Sequence, residues 1–188
     1  MRWDDLFADL GAQWDAESRR ELDAEVADRT RRERASVGLY ERLAAAGDDV
    51  VSISLRSGAA VQGRVADVGD GWLLIATVVS GHHVGPPIGP ALVPFAAVTS
   101  VTGLSVRAGG TEMGRKFGLG YALRGLSRDR SVVLLTDLTG AVAAGTIDAV
   151  GQDVLELSEH AADLPRRAEN VTGRRLVPFS ALVLLRPA

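Results

Sequence analysis

VVSISLRSGAAVQGRVADVGDGWLLIA, residues 50–76, returns as VVLLTDLTGAVAAGTIDAVGQDVLELS, residues 132–158. At this offset of 82, Gly58, Gly63 and Gly69 fall on Gly140, Gly145 and Gly151; after a two-residue insertion, Leu92-Val93-Pro94-Phe95 falls on Leu176-Val177-Pro178-Phe179. The chain carries an internal duplication, and both copies must build the same turns and core from different side chains. In the first copy Val51, Ile53 and Leu55 alternate with Ser52, Ser54 and Arg56, the period of a strand with one buried face. Ser57-Gly58 makes a turn, Val61–Val68 a second strand bent at Gly63, Gly69-Asp70-Gly71 a tight turn and Trp72–Val79 a third strand. A glycine- and proline-rich loop over residues 80–90 leads to a closing segment from Leu92 to Val101, with Pro94 at an edge or a corner. The second copy repeats the scheme with a longer loop, Glu159–Arg175.

The order of strand, glycine turn, glycine-bent strand, short turn, strand, variable loop and closing strand resembles the small bent barrel of the Sm-like family, which includes LSm and Hfq proteins. The residues that carry the likeness are Leu55-Arg56-Ser57-Gly58, Gly63-Arg64-Val65, Asp67, Gly69 and Trp72-Leu73-Leu74, with their counterparts in the second repeat. PRC-type and other SH3-like barrels share this glycine rhythm, and the Val-Pro-Phe ending resembles a PRC closing strand equally well. The layout, with a long helix before the first barrel, also resembles a group of actinobacterial proteins, a likeness that brings no activity with it. The expected fold is therefore mainly β with α: a long N-terminal helix, or two, then two SH3-like or Sm-like small β-barrels joined by a short helical linker. The expected divisions are a helical arm at 1–47, a first barrel at 48–106, a basic helical linker at 107–130 and a second barrel at 131–188.

Sm-like proteins that bind RNA carry an Asp and an Asn around the turn between strands two and three, and a basic residue with glycine near the closing turn. Here the first turn reads Gly69-Asp70-Gly71-Trp72 and the closing segment Val93-Pro94-Phe95-Ala96-Ala97. The second repeat has Asp153 at the turn but no Asn, and Pro178-Phe179-Ser180-Ala181 at the close. The uracil pocket that the resemblance implies is unsupported by these residues.

The chain contains no cysteine, which removes disulfides, thiolate chemistry and cysteine-based zinc sites. Its start is acidic where a secretory signal is basic, and no stretch has the ~18 continuous apolar residues of a membrane span. The expectation is a soluble, cytoplasmic protein. A net charge of −3 is too small to imply a polyanionic partner, but residues 107–130 hold six bases against two acids.

Trp3, Phe7, Leu10 and Trp14 recur at spacings of four, three and four, one face of a helix. Ser18 and Glu21 form a capping-box pattern, so a second helix starts there or the first continues. Leu22, Val26, Thr30, Val37, Tyr40 and Ala44 carry the stripe on, Glu25/Arg29 and Asp28/Arg32 are i,i+4 pairs, and Gly47 supplies a stop. Acids at Asp28 and Glu33 interrupt Arg29, Arg31, Arg32 and Arg34, the pattern of a solvated helix face. The aromatic stripe needs cover, from the barrels, a second copy or another protein.

Gly114–Arg128 reads as a short helix with a small-residue face at Gly114, Gly118, Ala122 and Gly125. Its Arg115, Lys116, Arg124, Arg128 and Arg130 make either a phosphate-tracking surface for RNA, DNA or an anionic membrane, or a packed connector with solvated arginines. The glycines here lack the Walker lysine and the strand-to-helix setting of a dinucleotide fingerprint. His82 and His83 are adjacent and point apart on an extended chain, and His160 is expected in an exposed loop. No nucleophile triad or carboxylate pair stands out, so no catalytic, cofactor-binding or metal residues are expected.

Two readings follow. The first is a non-enzymatic interaction or scaffolding module, with Trp3, Phe7, Leu10 and Trp14 docking a protein partner or a second copy. The second is a nucleic-acid-binding regulator using the basic linker. A metal enzyme built on the three histidines is a distant third, and no small-molecule substrate is evident.

Overall fold

A computed structural model describes residues 3–78, 89–106, 108–109 and 114–188. They form two units, Met1–Gly38 and Leu39–Ala188. The first contains helix α1, Trp3–Ala35, which runs through Ser18 without a break. Ion pairs Glu17–Arg20 at 3.1 Å and Asp28–Arg31 stand on its surface at i,i+3 spacing. Exposed pairs of this kind each contribute only a few tenths of a kcal/mol.

The second unit opens with helix α2, Leu39–Ala44, and Gly47 follows at φ +55, a left-handed conformation that glycine adopts without strain. Strands β1 (Val50–Leu55), β2 (Ala60–Gly69), β3 (Trp72–Thr77), β4 (Ala91–Pro94) and β5 (Val98–Thr102) make up the first repeat. Helix α3 (Leu119–Asp129) then precedes β6 (Val132–Asp137), β7 (Val142–Val150), β8 (Val154–Glu159), β9 (Gly173–Pro178) and β10 (Leu182–Pro187). Each repeat begins with a helix that packs on its second strand, α2 on β2 and α3 on β7. The loop expected over residues 80–90 lies, up to residue 88, outside the described residues.

The glycines act at the same places in both copies. Gly58 and Gly140 both sit at φ +83 in the turn after the first strand, and their N–H groups donate to Leu55 O and Asp137 O. Gly63 and Gly145 are points where two strands approach closely. A Cβ on Gly63 would stand 2.8 Å from the Ala76 carbonyl carbon, and one on Gly145 2.9 Å from that of Ser158. Ala76 and Ser158 are themselves repeat equivalents. Close approach permits the bend and twist that the second strand of each copy makes, and bulges at Val65/Asp67 and Ile147/Ala149 add to it.

The expected pair of small closed barrels is corrected by the strand pairing. All ten strands form one open antiparallel sheet in the order β5-β1-β2-β3-β4-β10-β6-β7-β8-β9. Closing either repeat on itself would require β4 to pair with β5, or β9 with β10. Instead, a 3-10 turn (Phe95–Ala97, and Phe179–Ala181 in the second copy) follows each Pro and carries the chain across to the far side of the repeat's first strand. The vacant edge of β4 is taken by β10, with Leu92 opposite Leu185. The two expected barrels are thus replaced by one continuous open sheet, with α2 packed on β2 and α3 on β7. Both halves nonetheless follow one order: last strand, first, second, third, fourth.

Two buried clusters fill the unit, and each borrows from the other repeat. The first gathers Leu43, Val51, Ile53, Leu73 and Ile75 and is completed by Val183 and Leu184 of β10. The second gathers Leu123, Val133, Leu135, Ile147, Leu155 and Leu157 and is completed by Trp72 and Leu92. Burial at roughly 25 cal/mol per Å² makes these exchanged side chains the main bond between the halves.

Candidate interaction surfaces

The basic segment is held down by the first repeat. Trp72 is buried, and its Nε1–H donates to Phe117 O at 2.8 Å, while the Asp70 N–H donates to the same oxygen at 2.9 Å. A Cβ on Gly114 would collide with the Tyr40 hydroxyl, so the chain passes close there. The helix expected from Gly114 is divided: Gly114–Lys116 is a 3-10 turn, and α3 starts at Leu119 behind Gly118. Of the glycines on the anticipated small-residue face Gly114 is crowded, whereas Gly118 and Gly125 have nothing within 4 Å of an added Cβ; Ala122 packs against the second cluster. Leu123 is the residue that α3 buries completely.

Lys116, Arg124, Arg128 and Arg130 have exposed side chains, and the side chain of Arg115 lies outside the described residues. Arg124 donates to Gly151 O at 3.2 Å, tying α3 to the turn before β8, and Arg128 Nε donates to Arg124 O at 3.3 Å. Arg130 ends α3 at φ 51, and its N–H donates to Ser127 O. Two of the four described cations therefore spend hydrogen bonds on main-chain carbonyls, and a third serves through its backbone as a helix cap.

On α1, Trp14 is 77% exposed, and Leu22 and Val26 are 60% and 56% exposed. Trp3, Phe7 and Leu10 lie on this helix, but their side chains are outside the described residues.

A polar network beneath the second repeat's long loop carries no signal in the sequence reading. Asp148, the bulged residue of β7, accepts from Ser158 Oγ and from an Arg166 terminal nitrogen, both at 2.6 Å. Arg166 Nε stands 2.5 Å from the other carboxylate oxygen, an ion contact without hydrogen-bond alignment. Beside it, His160 is 3% exposed, which corrects its expected place in an exposed loop: it follows β8 directly and is covered. Its Nδ1 lies 2.9 Å from Ala161 O, which can only accept, so Nδ1–H donates there; Nε2 stands 2.9 Å from Thr146 Oγ1. Thr146 and Ser158 face each other across β7 and β8, and both are buried. The signal that could have found them is the alternation of Thr146 with Asp148 on β7, and of Glu156, Ser158 and His160 along β8 and just past it.

Histidine, carboxylate and hydroxyl are thus close, but they are wired as a clamp. The carboxylate is engaged by Arg166 instead of orienting the imidazole, whose Nδ1–H goes to a backbone carbonyl. A nucleophile triad needs that bond to the carboxylate. The clamp holds the loop segment carrying Arg166 onto the sheet.

The Arg166 hydrogen bond, aided by Ser158, holds Asp148 below the usual carboxylate range against the burial that would raise it. A depressed folded-state value means that the stabilisation is complete above the unfolded value of 3.8 and disappears as pH falls through the folded value. Asp148→Asn is expected to cost about 1.5–3 kcal/mol at pH 7, the range for hydrogen bonds to charged groups. In urea titrations the gap from wild type should close as the pH drops below the unfolded value. An equal gap at pH 7 and at acid pH would refute the assignment.

No group of three or more His, Asp or Glu that could hold a metal occurs among the described residues; His82 and His83 are outside them. No helix among the described residues is long and apolar enough to cross a membrane. Comparison with protein families, with curated proteins and with solved structures finds no match for this chain.

Proposed function

We propose that the chain is a non-enzymatic interaction or scaffolding module in which α1 is a docking arm for a protein partner or a second copy. The observation that carries this reading is the exposed apolar series Trp14, Leu22 and Val26 on a 33-residue helix. Apolar side chains in sequence along one helix are the usual means by which a helix engages a groove or another helix. The wiring of the polar network as a clamp supports the same reading. Kinship with the Sm-like family is proposed on the repeated glycine pattern alone and includes no closed barrel.

The test is recovery of bound protein from native cell extract, with and without nuclease, using wild type and Leu22→Glu/Val26→Glu. Capture that survives nuclease and disappears in the double variant supports the arm; capture unchanged by the substitutions defeats it. A second reading, phosphate binding through Lys116, Arg124, Arg128 and Arg130, is favoured by their exposure around one helix. It requires binding that weakens steeply with salt, and retention of neither RNA nor duplex DNA at low salt ends it.

A further inference from the structure

The open sheet has edge strands β5 and β9, and each is the repeat counterpart of a strand paired at its centre. With the shift of 84 that applies after the insertion, β9 stands for β4, and β5 stands for β10. We infer that β9 of one copy pairs antiparallel with β5 of a second copy, repeating between molecules the β4–β10 junction that joins the halves within one. This inference rests on the reading of the chain as an assembly module, but not on α1 as its arm.

Three observations carry it. Leu92 is 4% exposed because Leu185 stands opposite, whereas its counterpart Leu176 on β9 is 66% exposed. The counterpart of Leu185 is Val101, on the free edge of β5. An apolar side chain is thus left bare at the place where the same residue, one repeat earlier, is covered by a strand.

The second observation is a groove. At the internal junction, a cavity of about 250 Å³ has one wall from α3 and β10, including Ala122, Leu185 and Pro187, and another from β3 and the start of β4, including Leu74 and Leu92. At the β5 edge lies an open groove of about 420 Å³ whose lining includes Arg42, Val101 and Gly103. Val101 and Gly103 are the counterparts of Leu185 and Pro187 at the shift of 84, and Arg42 precedes the fully buried Leu43 of α2 as Ala122 precedes the fully buried Leu123 of α3, so these two correspond as well. At these three positions the groove matches one wall of the internal cavity, and the second wall is missing. The residues that would supply that wall, Glu156 and Leu176, stand opposite each other on β8 and β9 at the other end of the sheet.

The third observation is charge. Leu74 and Ala122 line the internal cavity together. Their counterparts are Glu156 and Arg42, opposite in sign, and neither has an ion-pair partner among the described residues. Docking β9 on β5 brings Glu156 of one copy to Arg42 of the next. Polar Thr99 and Ser100 on one edge, and Arg174 and Arg175 on the other, discourage unmatched strand pairing while leaving the matched one open. Because the two surfaces differ, association is head to tail and proceeds to a ring or a filament instead of stopping at a two-fold dimer.

Sedimentation velocity on the full chain tests the inference. Wild type is expected to form species beyond the dimer as concentration rises. Arg42→Glu and Glu156→Arg should each weaken association by on the order of tenfold, through like charges at the junction. An equimolar mixture of these two variants should recover it, since every contact between unlike copies then restores an opposite-charge pair. Leu176→Lys, at an exposed position that the folded monomer does not need, should abolish association with an unchanged circular dichroism spectrum. A wild type that stays monomeric to about 100 μM, an assembly that ends at the dimer, or a mixture no better than its components would overturn the proposal. Association lost in Trp14→Glu but kept in Leu176→Lys would overturn it too, while leaving the docking arm standing.

Discussion

Gly145→Ala is expected to destabilise the protein by about 3 kcal/mol or more, the upper end of the overpacking range, because its methyl group has no free volume and no yielding neighbour. The added carbon would stand 2.9 Å from the Ser158 carbonyl carbon, 3.1 Å from Glu159 Cα and closer still to Ser158 O. All three are backbone atoms of β8, and moving them breaks the ladder that pairs Gly145 with Glu159 and Thr146 with Ser158. Gly63→Ala should behave alike, since the Ala76 carbonyl carbon and Thr77 Cα would lie 2.8 and 2.9 Å away. Against a total stability of ~5–15 kcal/mol, a loss of this size is a large shift in the urea midpoint. Gly125→Ala makes the opposite control. It lies inside α3 with nothing within 4 Å of the new methyl, so it should stabilise by up to about 1 kcal/mol. A Gly145→Ala protein with the wild-type midpoint would mean that β7 and β8 do not approach as described.

The second large effect separates two leucines that occupy one repeat position. Leu92→Ala should cost about 2–5 kcal/mol, since a 4% exposed side chain is withdrawn from the second cluster and its contact with Leu185 is lost. Leu176→Ala should change the stability of the dilute monomer by no more than about 0.5 kcal/mol. Chemical denaturation of both variants decides the matter. Equal losses would show that the β4–β10 junction does not distinguish the two positions. Since the clusters trade side chains, the Leu92→Ala transition should remain single, with both halves unfolding together.

Much of the second unit was legible because it is local. The alternation of Val51, Ile53 and Leu55, and the glycines at 58, 63, 140 and 145, place strands, turns and bends to within a few residues. What escaped is which edges meet. Closure of each repeat and fusion of the two satisfy the same hydrophobic pattern, and the choice turns on the direction the chain takes after Pro94 and Pro178, a matter of tertiary context. Leu92 and Leu176 read identically in sequence although one is covered and the other is not. The clamp was illegible for a related reason: Asp148 and Arg166 lie 18 residues apart and meet only when the long loop folds back. On α1 the aromatic spacing was plain, and Trp14 stands exposed there.

The exchange of Val183 and Leu184 into the first cluster bears on how the polypeptide is made. Strands β1 to β5 leave the ribosome some eighty residues before β10, yet their interior stays unsealed until β10 has been synthesised and has reached β4. For that interval the nascent N-terminal half presents an unfinished apolar face, the kind of surface that general chaperones hold. Ribosome stalling or proteolytic trimming just before residue 182 would therefore leave both halves open, not only the one whose synthesis was interrupted.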